Sequence, residues 1–228
     1  MKTDTNYTFV RELKQLKEFY ALLKPHDMKQ VFKGKTLYTK TVVRRITEVY
    51  NQATDHNDWY KEANDFAFQL SYKLWDKDPA TRKQAHAKAC GIIAALSPLK
   101  SWDENMNIAK LFVLTGQVKH TAVMGQKAKD ILSSDGSLET ISTILNGSKI
   151  TSFFLNIYRP STSQAVTIDR HAISIALGYS ITDNFSMTSN QYEFFQNCYR
   201  IASLNASIKP LQMQAITWVE WRKQKATK

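Results

Sequence analysis

Apolar residues along this chain recur at intervals of three and four, and nowhere does an alternation of apolar and polar residues persist. Side chains at that spacing share a face only on helices, because a helix turns every 3.6 residues and a strand alternates every two. Seven Gly and five Pro in 228 residues impose few breaks. The expected fold class is therefore all-α. A chain of this length can bury a sizeable core, as one large domain or two small ones.

The stripes can be placed in order. Phe9, Val10, Leu13, Leu16, Phe19 and Leu22 form one, which stops near Pro25. Val42, Val43, Ile46 and Val49 form a second, after Thr39; Arg44 and Arg45 within it read as a solvated face or as phosphate contacts. A helix from about Asp58 to Trp75 carries Trp59, Ala63, Phe66, Ala67, Leu70 and Leu74 for burial, and Asp76 to Pro79 is a turn. The small residues from Ala85 to Leu96 suit a helix deep in the core. Pro98 ends it. Ser101 or Asp103 caps the next helix, whose first turn holds Asn105 and Asn107 as capping residues or ligand contacts. A further helix begins near Gly125 with basic Lys127 and Lys129.

The net charge of +11 and pI near 9.5 suggest an anionic partner, most often nucleic acid. Further basic residues, Arg222, Lys223 and Lys225, gather near residue 222. Cys90 and Cys198 are far apart and lack metal-ligand spacing, so they read as reduced core thiols of a cytoplasmic protein with no metal and no cofactor. No signal peptide and no apolar run of membrane-spanning length is present, so no membrane partner is expected.

The most informative stretch runs from Ile144 to Phe154 and on through Gln164 to Ala172. Asn146 and Gly147 tolerate positive φ, so they read as a tight turn between two helices, with Ser148 capping the second. The first N–H groups of that helix would form an anion site. Lys149 stands at its start and Asp169 twenty residues later, both flanked by apolar residues. A desolvated lysine is an amine nucleophile, and a carboxylate beside it can take a proton or balance positive charge at a reacting carbon. The plainer reading is a solvated lysine and a helix-capping aspartate.

The order of these motifs resembles the helix-hairpin-helix (HhH-GPD) DNA glycosylase superfamily, closest to the 8-oxoguanine DNA glycosylase/AP lyases. The resemblance covers about residues 80 to 222. It rests on Leu96-Ser97-Pro98, on Asn105 through Phe112, on Gly125-Gln126-Lys127-Ala128-Lys129, on the hairpin with Lys149, on Gln164-Ala165-Val166, on Ile168-Asp169-Arg170-His171, and on Gln214-Ala215-Ile216-Thr217-Trp218. It implies a two-lobed helical glycosylase-like fold with a helix-hairpin-helix motif and a cleft between the lobes. Residues 1–79 would be family-specific helices and 80–228 the glycosylase-like core. The chain departs from the pattern in its single hairpin glycine and in lacking both a β domain and a four-cysteine cluster.

The resemblance also implies roles. Lys149 would attack the sugar C1′ and Asp169 would stabilise the cationic centre. Phe153, Gln214, Trp218 and His171 would form the base pocket. Asn105 would fill the gap in the duplex. Asn107, Asn146, Gly147, Ser148, Lys127, Lys129 and Arg170 would contact DNA. The expected function is that of a monomeric DNA glycosylase with AP-lyase activity, acting on a modified base flipped from double-stranded DNA. One alternative is a bacteriophage-type enzyme that alters a modified pyrimidine, such as a hydroxymethyluracil derivative, without excision. Another is a non-catalytic DNA-binding module.

Overall fold

The computed structural model describes residues 28–56, 58–182 and 184–226. The expected helix over Phe9–Leu22 lies outside the described residues. Within them the chain is mostly helical, as expected, with ten α-helices and one two-stranded sheet. No helix among them is long and apolar enough to cross a membrane. The chain divides into two compact units. One comprises the described residues of Met1–Asn57 and of Ile168–Lys228; the other is Asp58–Thr167. The division differs from the expected border at residue 79, because residues 58–79 carry a helix whose buried side packs within the second unit.

The two-segment unit opens with a hairpin that the sequence reading did not contain. β1 (Lys29–Phe32) pairs antiparallel with β2 (Lys35–Tyr38). Lys33 and Gly34 join them with φ of 49° and 74°, the left-handed pair of a two-residue hairpin turn. Phe32 is buried and meets Phe195 and Phe185 edge-on, with ring centroids 5.4 and 5.9 Å away. Four-residue strands are too short for alternation to register as a pattern, and it is this anchoring that holds them.

α1 (Thr39–Gln52) follows directly and buries Val42, Ile46 and Val49, as its stripe predicts. It packs against α8 (Arg170–Leu177), α9 (Ser189–Asn205) and α10 (Pro210–Ala226). Arg44 is exposed and paired with Glu48, whereas Arg45 donates to the Ala176 carbonyl near the end of α8. Tyr199 on α9 is fully buried and its hydroxyl donates to the Ala172 carbonyl at 3.1 Å.

In the single-segment unit every other helix is placed by α3 (Arg82–Ala95), which packs against α2 (Trp59–Ser71), α4 (Trp102–Thr115), α5 (Ala122–Ser133), α6 (Leu138–Leu145) and α7 (Ser148–Tyr158). Its residues from Ala89 to Ala95 are all buried, so the expected core helix is present. Gly91 makes the close approach possible: a Cβ there would stand 2.8 Å from Ile141 Cγ2 and 3.2 Å from Ile131 Cγ2. α2 stops at Ser71, short of Trp75, and its buried aromatic is Tyr60 rather than Trp59 or Phe66. A buried polar network holds the loop after α7. The Tyr60 hydroxyl donates to Thr167 Oγ1 at 3.0 Å, Asn156 Nδ2 donates to the same oxygen, and Ser163 Oγ donates to Asn156 Oδ1 at 2.6 Å.

Candidate functional site

Asp169 is the best-defined member of the candidate site. Ile168 before it is buried, and the Ile168 N–H donates to the Tyr192 hydroxyl at 3.1 Å, which fixes the approach to α8. Asp169 then sits in extended backbone as the N-cap of α8. Its Oδ1 accepts from the Ala172 N–H at 2.7 Å, a standard N-cap bond, and its Oδ2 accepts from the Trp218 indole N–H at 3.1 Å. Both carboxylate oxygens are thus oriented by a donor, and the side chain is only half-buried. A carboxylate held this way presents fixed negative charge at the positive end of a helix.

Trp218 gathers the rest. It is half-buried on α10, with the His171 ring edge-on at 6.0 Å and the Arg222 guanidinium 4.6 Å from its ring centroid. Gln214 lies one turn earlier on α10 and is 5% exposed. Arg170, first residue of α8, is exposed. Burial pushes the Tyr199 phenol far above its ordinary value, the Thr217 hydroxyl lowers it in part, and the Asp169 charge raises it further. The phenol therefore remains a proton donor to Ala172 and does not act as a base. Asp169 and His171, read from one motif, and Trp218, read from another, come together in one unit.

The second group of expected residues belongs to the other unit. α6 ends at Leu145, Asn146 takes a left-handed φ of 45°, and Gly147 has φ 158° and ψ 129°. The expected helix, tight turn and helix are all present. The N-cap is Gly147, however, and Ser148 is already the first helical residue, because the turn closes one residue earlier than the capping assignment allowed. Lys149 is exposed rather than enclosed among apolar neighbours. Phe153, one turn on, is half-buried, 6.0 Å from the Trp59 ring and 6.2 Å from the Tyr60 ring. Lys127 on α5 donates to the Leu145 carbonyl, so it closes the end of α6 beside the turn. Lys129 is exposed.

Asn105 requires a correction. It is 2% exposed on α4 and its amide donates to the Ile93 carbonyl at 3.1 Å, which ties α4 to the end of α3. A side chain so enclosed is not placed to enter a duplex. Ser101 caps α4, accepting from Glu104, and Asn107 is exposed. A surface feature that the sequence reading did not contain is Leu99, in the loop between α3 and α4. It is 94% exposed with φ 62°. The loop around it is tied down by Lys100 N–H to the Ser97 carbonyl and by the His120 Nε2 contact with the Pro98 carbonyl. A leucine between Pro98 and Lys100 in an interhelical loop was the available signal.

Among the described residues no three His, Cys, Asp or Glu side chains gather as a metal site requires. The model of a family of unknown function, DUF7178, matches residues 28–225. No curated protein and no solved structure matches the chain.

Proposed function

The chain belongs to the DUF7178 family, and for this member we propose a DNA glycosylase with AP-lyase activity, directed at a modified base. The observation that carries the reading is Asp169, with one oxygen on the α8 backbone and the other on the Trp218 indole, beside His171 and Arg222. Oriented charge next to a half-exposed aromatic ring suits a cationic sugar centre and a planar base. The resemblance assigns the amine to Lys149. A neutral amine nitrogen forms a bond to C1′ of the flipped nucleotide as the bond to the base breaks, and the proton it loses goes to the departing base. The sugar ring then opens to an imine, and loss of a C2′ proton eliminates the 3′ phosphate and nicks the strand.

Leu99 takes the place first given to Asn105, since it is the exposed apolar side chain on a tied loop. Its entry into the base stack would occupy the space that the flipped base leaves. Trp218 stacks on the base, and Gln214, buried one turn earlier on α10, is the amide that the resemblance assigns to its hydrogen-bonding edge.

The test uses the purified protein and a panel of duplexes carrying modified purines and pyrimidines. Free base and a nicked strand are expected, and borohydride should trap a covalent protein–DNA adduct that Lys149→Ala abolishes. An adduct persisting in Lys149→Ala would move the nucleophile elsewhere. An altered nucleoside mass with the base retained would make the protein a base-modifying enzyme, and binding without either product would leave a DNA-binding module.

A further inference from the structure

Residues 28–47 hold Lys29, Lys33, Lys35, Lys40, Arg44 and Arg45 and no acidic residue. The hairpin formed by β1 and β2 displays the first three of these. Its alternation sends Phe32 and Leu37 inward, 2% and 6% exposed, and leaves Lys29 paired with Tyr38 and Val31 paired with Thr36 on the other face. Tyr38 is 46% exposed and Val31 54%. The turn carries Lys33, and Lys35 opens β2 opposite Phe32, its ammonium 4.8 Å from the Tyr179 ring centroid.

The hairpin is held firmly from behind. The Gln191 amide donates to the Val31 carbonyl at 2.8 Å, and the Thr39 N–H and hydroxyl both donate to the Met28 carbonyl. Phe32 locks it onto the aromatic rings described above. The hairpin backbone is therefore fixed, and Lys29, Lys33, Lys35 and Tyr38 lie exposed on it.

We propose that this hairpin is a second DNA-contacting surface, with Lys29, Lys33 and Lys35 neutralising phosphates and Tyr38 packing against the sugar–base wall. The proposal rests on the DNA reading above and names a further contact for it. A two-stranded ribbon has the width that the major groove admits. A membrane surface is disfavoured by the arrangement, because a hairpin that enters a bilayer leads with apolar residues and this one leads with Lys33-Gly34-Lys35.

The test is duplex binding by the full chain, followed by anisotropy of a labelled duplex over a series of salt concentrations. The variant is Lys29→Gln/Lys33→Gln/Lys35→Gln, with thermal melting measured on the same sample. Each phosphate neutralised contributes about −0.9 to the slope of log affinity on log salt, so loss of three should make the slope shallower by roughly 2 to 3. Affinity at low salt should fall at least tenfold. If the triple variant melts early, Lys29→Gln and Lys33→Gln measured singly should each change the slope by about one. Tyr38→Ser should weaken binding without changing the slope. Wild-type affinity and slope in the lysine variants would overturn the hairpin proposal and leave the DNA reading standing. A wild-type protein that does not bind duplex would overturn both. Wild-type binding to phosphatidylserine vesicles that the triple variant loses, with duplex binding intact, would assign the surface to membranes and overturn it also.

Discussion

Asp169 serves the fold before it serves any reaction. One oxygen closes the first turn of α8 and the other holds the Trp218 indole, so a substitution there has a structural and a chemical effect that must be separated. Asp169→Ala removes both acceptors and should lower stability by about 1–2 kcal/mol, the usual worth of an N-cap. Asp169→Asn keeps an oxygen for the Ala172 N–H, so its melting temperature should stay closer to wild type. Base release should fall in both variants, by roughly 10²- to 10⁴-fold, because the negative charge is gone from each. Wild-type base release in Asp169→Asn would mean that Asp169 is a cap alone. His86 gives a separate handle. It is wedged between the Tyr158 and Phe68 rings, 5.2 and 5.6 Å away, and burial lowers its pKa from 6.5, against the raising effect of the Asn64 bond. Between that lowered value and 6.5 the unfolded chain binds more protons than the folded one, so stability is complete above 6.5 and declines as pH falls below it. Melting temperature followed from about pH 8 down to 5 should show this decline, and His86→Gln should flatten it.

Among the elements, the core helix α3 is the most sensitive to a single methyl group. Gly91→Ala would drive a Cβ into the β-branched Ile141 and Ile131, forcing α5 and α6 outward, and should cost about 1–3 kcal/mol by chemical denaturation. An unchanged midpoint would show that those isoleucines can turn aside. The helices themselves were largely legible, because burial along α1 follows the 3.6-residue turn that its stripe records and α3 is enclosed along its run of small residues. The ends of α2 were not. Its stop at Ser71 comes from local turn bonds, Lys73 N–H to Leu70 and Leu74 N–H to Ser71, which leave no mark in an apolar pattern. The β hairpin was missed for a related reason. Lys33-Gly34 is a hairpin signal, but two four-residue strands are recognisable only once Phe32 is seen to have an aromatic wall to enter.

Across the molecule, the positive charge divides into cations that build and cations that face outward. Lys88 and Lys127 each donate to a carbonyl at a helix end, Leu132 and Leu145, and so complement those termini. Lys129, Arg170, Arg222 and the hairpin lysines are exposed. Motif order made Asp169, His171 and Trp218 legible as a group, since a helix cap and a residue four after Gln214 are positional facts. It could not tell that Asn105 turns toward Ile93, because the choice of face for one polar residue is decided by the helix packed against it. Leu99 was hidden by the opposite circumstance: a leucine is expected inside, and only the loop geometry puts it outside.

One unit is assembled from both sides of the other in sequence, and synthesis on the ribosome runs in one direction. Asp58–Thr167 emerges with all its partners already made, whereas the described residues of Met1–Asn57 wait for Ile168–Lys228 before α1 can meet α8, α9 and α10. During that interval Val42, Ile46, Val49 and Phe32 have no native surface to cover them. The nascent chain therefore passes through a state in which the unit continuous in sequence is complete and the first segment of the other is adhesive, and it is at that stage that aggregation competes with folding.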